Sequence, residues 1–178
     1  MIVMSLEELE DYINAYGKDF YSFCCFLTHN RQEAEDLYQD TFLKLYEIRE
    51  KLSSINNPKN YIMTISVNLY RNYKRKCAIR KKIAGTEISL EDTLEEIPSR
   101  EQTTEEQMLL RERCRILRRE VGNLPDKYKI PILLFYMEEM PLMEVAAVLK
   151  LPVGTVKSRI HRAKKILKER LEDCLYEN

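Results

Sequence analysis

Apolar positions recur at intervals of three and four residues along most of the chain, which is the spacing of one face of an α-helix. The first such stripe occupies residues 6–27 and contains Gly17, a position where we expect the helix to weaken or break. A second helix is predicted after Asn30, which forms a capping box with Glu33, and a third after Pro58, a residue favoured at the first helical position. No stretch of alternating β-branched residues is present. The pattern therefore predicts an all-α fold.

The apolar period is interrupted once, between two helical regions. Residues 83–104 are acidic, include Gly85 and Pro98, and have no sustained apolar spacing, which is typical of a linker. We therefore expect two small helical domains, residues 1–82 and residues 105–178, joined by an acidic flexible linker at 83–104.

The second domain begins with another predicted capping box, formed by Thr104 and Gln107. The helix that follows should end at Gly122 and bury one stripe, formed by Leu110, Cys114, Leu117 and Val121. The next helix starts after Pro125 and has an almost wholly apolar body at residues 130–137, with a bend or an offset start expected at Pro131.

The last part of the chain has the pattern of a helix-turn-helix. Residues 141–149 form a short helix candidate, residues 150–153 a turn, and the second helix starts near Gly154. On that helix the 100° step places one apolar face toward the core, formed by Val156, Ile160, Ala163 and Leu167. The opposite face is cationic and rich in hydrogen-bond donors: Ser158, His161, Arg162 and Lys165, flanked by Lys157 and Arg159. Such a helix fits the major groove of duplex DNA, although a basic amphipathic helix with another purpose is the alternative.

Charge is strongly segregated along the chain, although 29 basic and 29 acidic residues sum to zero. Residues 1–50 hold 11 acids and 4 bases, whereas residues 71–82 hold seven bases and no acid. Residues 83–106 carry eight acids against one Arg, and residues 150–170 carry eight bases against one Glu. Two basic blocks separated by an acidic one suggest two surfaces for a polyanion, the alternative being ordinary solvated faces.

Most enzyme classes lack their signatures in this sequence. The four glycines fit no phosphate-binding loop, and the two histidines and five cysteines form no metal-ligand spacing. Glu33, Asp36 and Asp40 share a helical face, but the Glu-x-x-His partners of a two-metal site are missing, so we expect an acidic docking face. Cys25 and His29 lie one turn apart and are expected to be a buried thiol and a surface imidazole. We expect no enzyme activity, no cofactor and no metal.

We also expect a cytoplasmic location. The longest apolar run, residues 130–137, is far shorter than the roughly 18 residues of a membrane span, and the first residues lack the pattern of a secretory leader.

The helix-turn-helix resembles the fourth-region DNA-binding motif of bacterial sigma factors. The resemblance is carried by residues 145–149, by Gly154-Thr155-Val156-Lys157-Ser158-Arg159 and by His161-Arg162-Ala163. In the first domain, residues 33–37 and 39–46 resemble the second-region helix that docks on the clamp helices of the largest polymerase subunit. Because no third-region domain fits between them, the match is to the extracytoplasmic-function group of the sigma-70 family. Sigma factors often have Gly where Lys150 stands and Trp where Tyr61 stands.

The resemblance implies a promoter-specificity subunit that binds core RNA polymerase, recognises promoter DNA and helps to open it. The residues implied for polymerase docking are Glu33, Asp36, Leu37, Gln39, Asp40 and Phe42. Those for the upstream, minus-thirty-five element are Thr155, Lys157, Ser158, Arg159, His161, Arg162 and Lys165. Those for the downstream, minus-ten element are Asn56, Asn57, Tyr61, Asn68, Arg71, Asn72, Lys74 and Arg75.

Further expectations concern aromatic residues and partners. Tyr61, Tyr70 and Tyr73 could stack on exposed bases or equally fill the core. The family makes an anti-sigma factor an expected partner. The alternative function is a helix-turn-helix regulator that acts without polymerase, while a recombinase or nuclease would need a nucleophile or metal site that the sequence does not offer.

Overall fold

The computed structural model describes residues 6–48, 58–84 and 105–176, and in these ranges the chain forms α-helices and no strand. The predicted all-α fold is thereby confirmed. The helices are α1 (Leu6–Thr28), α2 (Arg31–Ile48), α3 (Pro58–Ala84), α4 (Glu105–Gly122), α5 (Asp126–Tyr136), α6 (Leu142–Leu149) and α7 (Val153–Tyr176). We call α1–α3 the N-terminal half and α4–α7 the C-terminal half.

The turn between α1 and α2 forms half of the predicted capping box. The side-chain Oδ1 of Asn30 accepts a hydrogen bond from the backbone N–H of Glu33 at 3.0 Å, which satisfies one of the exposed donors of the first turn. The carboxylate of Glu33 instead accepts a hydrogen bond from the hydroxyl of Tyr73 on α3, at 3.2 Å. The capping residue therefore starts α2, while its predicted partner connects α2 to α3.

Helix α1 is continuous through Gly17, so the expected weakening there was wrong. Gly17 is buried against α2, and a Cβ atom at this position would lie 2.8 Å from the hydroxyl oxygen of Tyr38. The missing side chain lets the two helices approach, and that packing compensates for the poor helix propensity of glycine. The ring of Tyr38 in turn contacts Phe20 and Phe42, with ring centroids 5.7 and 4.8 Å away.

Helix α5 forms the centre of the C-terminal half. It runs unbroken from Asp126 to Tyr136 with Pro131 inside it, and Ile130 and Leu134 are almost fully buried. The predicted apolar body is confirmed, whereas the offset start at Pro131 is not seen, because the helix already begins at Asp126. The dense packing of α5 against α6 and α7 offsets the loss of one backbone hydrogen bond at Pro131.

The predicted buried stripe of α4 is mostly wrong. Leu110 is 61% exposed, Leu117 and Cys114 are also exposed, and only Val121 lies in the core. Burial in α4 is concentrated at its C-terminal end, where the helix meets α1 and α7. The helix ends at Gly122, as predicted.

Helices α6 and α7 form the predicted helix-turn-helix. Lys150 ends α6 in the left-handed region with a φ of 54°, and the backbone N–H of Leu151 donates to the carbonyl oxygen of Ala146 at 3.0 Å. The N–H of Lys150 also donates to the carbonyl oxygen of Ala147 at 3.2 Å, so the last carbonyls of α6 are satisfied in a Schellman arrangement.

The two halves of the chain pack against each other. Helix α3 contacts α6, and α1 contacts α4 and α5. The Lys59 ammonium lies 2.6 Å from the carbonyl oxygen of Glu138 and 3.3 Å from its carboxylate, whose side chain is only 4% exposed. Burial raises the pKa of Glu138, while Lys59 opposes that rise. A charged residue of one half thus neutralises a buried carboxylate of the other.

Replacing Lys150 by glycine should stabilise the fold. Glycine occupies the left-handed region without the steric penalty of a Cβ atom, so Lys150→Gly should raise the free energy of unfolding by about 1 kcal/mol, or roughly 2–4 °C in melting temperature. Thermal denaturation followed by circular dichroism measures the change. The control, Lys76→Gly at an exposed position inside α3, should lower stability by about 1 kcal/mol. A loss of stability in both variants would contradict the prediction.

Candidate nucleic-acid and polymerase interfaces

One face of α7 is buried and the opposite face is exposed and cationic. Val156 and Ala163 are fully buried, and Ile160 and Leu167 nearly so, which confirms the predicted apolar face. The opposite residues are all exposed: Ser158, His161, Arg162 and Lys165. Because the buried stripe fixes the rotation of the helix, these side chains project together from the motif.

Three further candidates for binding the upstream element flank this surface. Lys157 is exposed, whereas Thr155 and Arg159 are half-buried. The hydroxyl of Ser158 donates to the carbonyl oxygen of Thr155 at 2.9 Å, so its oxygen keeps lone pairs available to a donor. Hydroxyl, imidazole and guanidinium groups on one helical ridge match the donors and acceptors of base edges and phosphates in a major groove.

Helix α3 carries those candidates for binding the downstream element that lie within the described residues. Asn68, Arg71, Asn72, Lys74 and Arg75 are exposed on it, and the Arg75 guanidinium donates to the side-chain oxygen of Asn72 at 3.4 Å. The cations are well placed to neutralise a nucleic-acid backbone. Of the remaining three, Tyr61 is half-buried near the start of α3, and Asn56 and Asn57 lie outside the described residues.

The three tyrosines proposed for base stacking lie in different environments. Tyr70 is 1% exposed and its hydroxyl donates to the carboxylate of Asp126 on α5 at 2.9 Å. Burial, followed by the charge of Asp126, raises the pKa of Tyr70. Tyr61 is half-buried against the core and Tyr73 is exposed. Tyr73 is therefore accessible to solvent, whereas Tyr70 is part of the contact between the halves.

The outer face of α2 is acidic. Asp36, Gln39 and Asp40 are exposed and Glu33 is half-buried, so these four candidates can meet a partner. Leu37 is 6% exposed, and Phe42 packs edge-to-face on Phe20 with ring centroids 5.5 Å apart.

Leu37 and Phe42 therefore pack on the inner side of α2, and Leu37 has almost no surface open to a partner. Two apolar residues that the sequence reasoning omitted are exposed on α2, Leu43 and Tyr46. Leu43 lies four residues after Gln39, and Tyr46 lies three residues after Leu43. This helical spacing was the signal that could have found them.

Metal and thiol chemistry finds little support in the described part of the chain. No cluster of three His, Cys, Asp or Glu side chains suited to a metal occurs among the described residues. Cys25 and His29 are both half-buried, so the expectation of a buried thiol beside a surface imidazole was wrong. The ring of His29 packs over Gly122 at the end of α4, and its Nδ1 atom is buried there. In the same described ranges, no helix is both long enough and apolar enough to cross a membrane.

Family models match both halves of the chain. The model for sigma-70 region 2 matches residues 12–78, and the model for sigma-70 region 4 matches residues 114–167. The ECF RNA polymerase sigma factor SigW of Bacillus subtilis is 29% identical over 168 residues, which cover 92% of this chain and 88% of SigW. SigM of the same organism is 26% identical, over 90% of this chain and 93% of SigM.

Two solved structures have folds similar to that of this chain. The sigma factor RpoE from Bartonella quintana, solved with the anti-sigma factor NepR, superposes with a TM-score of 0.77 at 21% identity, over 94% of this chain and 98% of RpoE. CnrH, solved with the cytosolic domain of CnrY, gives a TM-score of 0.65 at 19% identity, over 95% of this chain and 90% of CnrH.

The chain belongs to the sigma-70 family, in its extracytoplasmic-function group. It is a transcription initiation factor that supplies promoter specificity, and a regulator acting without polymerase is not favoured.

Removing one guanidinium from the exposed ridge of α7 should weaken upstream recognition. Arg162→Ala in the polymerase complex should lower affinity for duplex carrying the upstream element about tenfold, the size of one good base or phosphate contact. A gel-shift titration at fixed salt measures this affinity. The control, Lys168→Ala, changes an exposed cation further along α7, past the last candidate residue, and should stay within about twofold. Equal losses in the two variants would remove the ridge assignment.

Proposed function

We propose that the N-terminal half docks on core RNA polymerase and captures the minus-ten element, while the C-terminal half binds the minus-thirty-five element. The observation that supports this division is the separation of charge onto different surfaces. The exposed face of α2 is acidic, whereas the exposed faces of α3 and α7 are cationic. A protein partner and a polyanion can therefore bind simultaneously without competing for one surface.

On the upstream side, α7 enters the major groove as the recognition helix. Lys157 and Lys165 contact phosphates, and Ser158 and Arg162 reach base edges. Helix α6 packs across α7 and supports it through the tight turn at Lys150. The rigid turn sets the angle between the two helices, which is what a groove requires of such a motif.

On the downstream side, α3 holds strands that have separated. Arg71, Lys74 and Arg75 bind the backbone, while tyrosine rings offer stacking surfaces, which is the combination that single-strand binders use. An extruded base costs a few kcal/mol of unstacking, and Asn56 and Asn57 before α3 offer amide groups to its edge.

Docking on the clamp helices of the largest polymerase subunit uses the acidic face of α2. Asp36 and Asp40 supply charge, and the exposed side chains of Leu43 and Tyr46 supply apolar area beside them. The protein catalyses no reaction itself, needs no cofactor and acts in the cytoplasm, where polymerase is found. Because RpoE was solved with the anti-sigma factor NepR, we extend such a partner to this chain.

Transcription from a cognate promoter tests the whole proposal. Core polymerase should produce run-off transcript only when the protein is added, because only the complex joins docking to both DNA contacts. Sequencing of the transcript ends from genomic fragments identifies the promoters. Initiation at no site, or tight and specific promoter binding by the protein without polymerase, would contradict the proposal.

Charge reversal on α2 tests the docking surface separately. Asp36→Lys combined with Asp40→Lys should lower affinity for core polymerase at least tenfold, because both carboxylates are exposed and would face the partner's basic groups. The matched control, Glu169→Lys with Glu172→Lys, makes the same charge change on the exposed part of α7. Co-purification with polymerase is the measurement, and circular dichroism checks folding. Unchanged co-purification of the α2 variant would remove the docking assignment.

A further inference from the structure

A hydrogen bond joins Tyr73 of α3 to Glu33 of α2, two residues to which the sequence gives different roles. The phenol hydroxyl of Tyr73 donates to the Oε1 atom of Glu33 at 3.2 Å. The resemblance to sigma factors implies polymerase docking for Glu33, whereas Tyr73 lies on the helix proposed for melted DNA. A docking candidate is thus connected directly to the DNA-binding helix, where α2 packs on α3.

The position of Glu33 on α2 differs from that of the other acidic docking candidates. Asp36 and Asp40 are exposed, but Glu33 is half-buried and lies one helical turn before the buried Leu37. Glu33 is therefore at the border between the exposed and the buried side of α2, and its carboxylate is held by α3. The outer face of α2 depends for its charge on Asp36 and Asp40.

Tyr73 has the most exposed ring of the three tyrosines proposed for base stacking. It is 43% exposed, whereas Tyr70 is 1% exposed and Tyr61 is half-buried. Lys74 and Arg75 follow Tyr73 on α3, and both are exposed. A nucleic-acid backbone that binds these cations therefore brings its bases close to the ring of Tyr73.

The hydroxyl end of the Tyr73 side chain is held in place by the surrounding protein. Besides the bond to Glu33, the side chain of Cys77, one turn further along α3, also hydrogen-bonds Tyr73. This contact, burial and the charge of Glu33 raise the pKa of Tyr73, so the hydroxyl keeps its proton at neutral pH and remains a donor. Because a tyrosine side chain turns about only two bonds, holding its hydroxyl restricts the orientation of the whole ring.

We propose that Glu33 is a positioning residue for DNA capture, which holds the ring of Tyr73 in the orientation that stacks on an unpaired base of the minus-ten element. This inference rests on the proposed function and gives Glu33 a role other than polymerase docking. Since the ring is ordered before DNA arrives, binding does not have to order it. The hydrogen bond therefore raises the affinity for unpaired DNA although Glu33 itself does not contact the DNA.

Stacking by Tyr73 is tested with abasic sites. The probe is a promoter duplex, identified by run-off transcription, whose minus-ten strand is left unpaired, and it is bound to core polymerase carrying the protein. Removing the base that stacks on Tyr73 should weaken binding of the wild-type complex about tenfold. The same abasic site should cost the Tyr73→Ala complex less than about twofold, because the ring is already missing. Equal losses in both complexes at every position of the strand would overturn the inference.

Variants of the hydrogen bond itself test the positioning role on the intact probe. Tyr73→Phe keeps the ring but removes the donor, and Glu33→Ala removes the acceptor. Each should weaken binding about threefold, the size expected when one side chain must be ordered on binding. The double variant should lose no more than either single variant, since both remove the same bond. Glu33→Gln keeps an acceptor oxygen without the charge, and should stay within about 1.5-fold of wild type.

Two controls separate positioning from general effects. Tyr136→Phe removes a hydroxyl from another exposed tyrosine, on α5, and should leave binding of the probe unchanged. The affinity for core polymerase without DNA should stay within about twofold of wild type in every variant, because the hydrogen bond serves the DNA side.

The possible failures are distinguishable. Lower affinity for core polymerase in both Glu33→Ala and Glu33→Gln, with no effect of Tyr73→Phe, would assign Glu33 to docking and overturn the proposal. Losses that add to about ninefold in the double variant, or no loss in either single variant, would overturn it as well. If the wild-type complex does not bind the probe at all, the proposed function fails instead.

Discussion

The burial of one apolar stripe on α7 is the constraint on which the DNA-binding surface depends. Val156 and Ala163 have no exposed surface, so rotating the helix to present other residues would expose them at a cost of about 1–3 kcal/mol for each large side chain. The few positions opposite the stripe, such as Arg162, are therefore the ones that α7 can present to a partner. The same logic applies on α2, where Leu37 and Phe42 bury one side and leave the carboxylates outside.

The turn before α7 holds one residue in an unfavourable backbone conformation. Lys150 occupies a left-handed conformation that costs a residue with a Cβ atom about 1–2 kcal/mol. The backbone hydrogen bonds of Lys150 and Leu151 to the end of α6, together with the packing of α6 on α7, hold it there. The angle between the two helices is thus maintained by the C-terminal half alone, whether or not the N-terminal half is in contact.

Periodicity predicted the features that depend on local spacing and missed those that depend on distant neighbours. The buried face of α7 and the start of α2 at Asn30 follow from residues three or four positions apart, so the sequence contains them. The burial of Tyr70 depends on Asp126, 56 residues away, and the continuity of α1 depends on Tyr38 above Gly17. Leu110 on α4 follows the helical period but lies exposed, because a period indicates a face and not whether anything covers it.

The contacts between the halves are of the kind that separate easily. Lys59 is partly exposed and Arg118 stacks at the surface, and such charged contacts are individually weak in water. Glu138 is different, because its nearly buried carboxylate keeps one oxygen without a hydrogen-bond partner and gains hydration when the halves part. The contact between the halves therefore combines a few favourable charged contacts with one incompletely satisfied buried carboxylate.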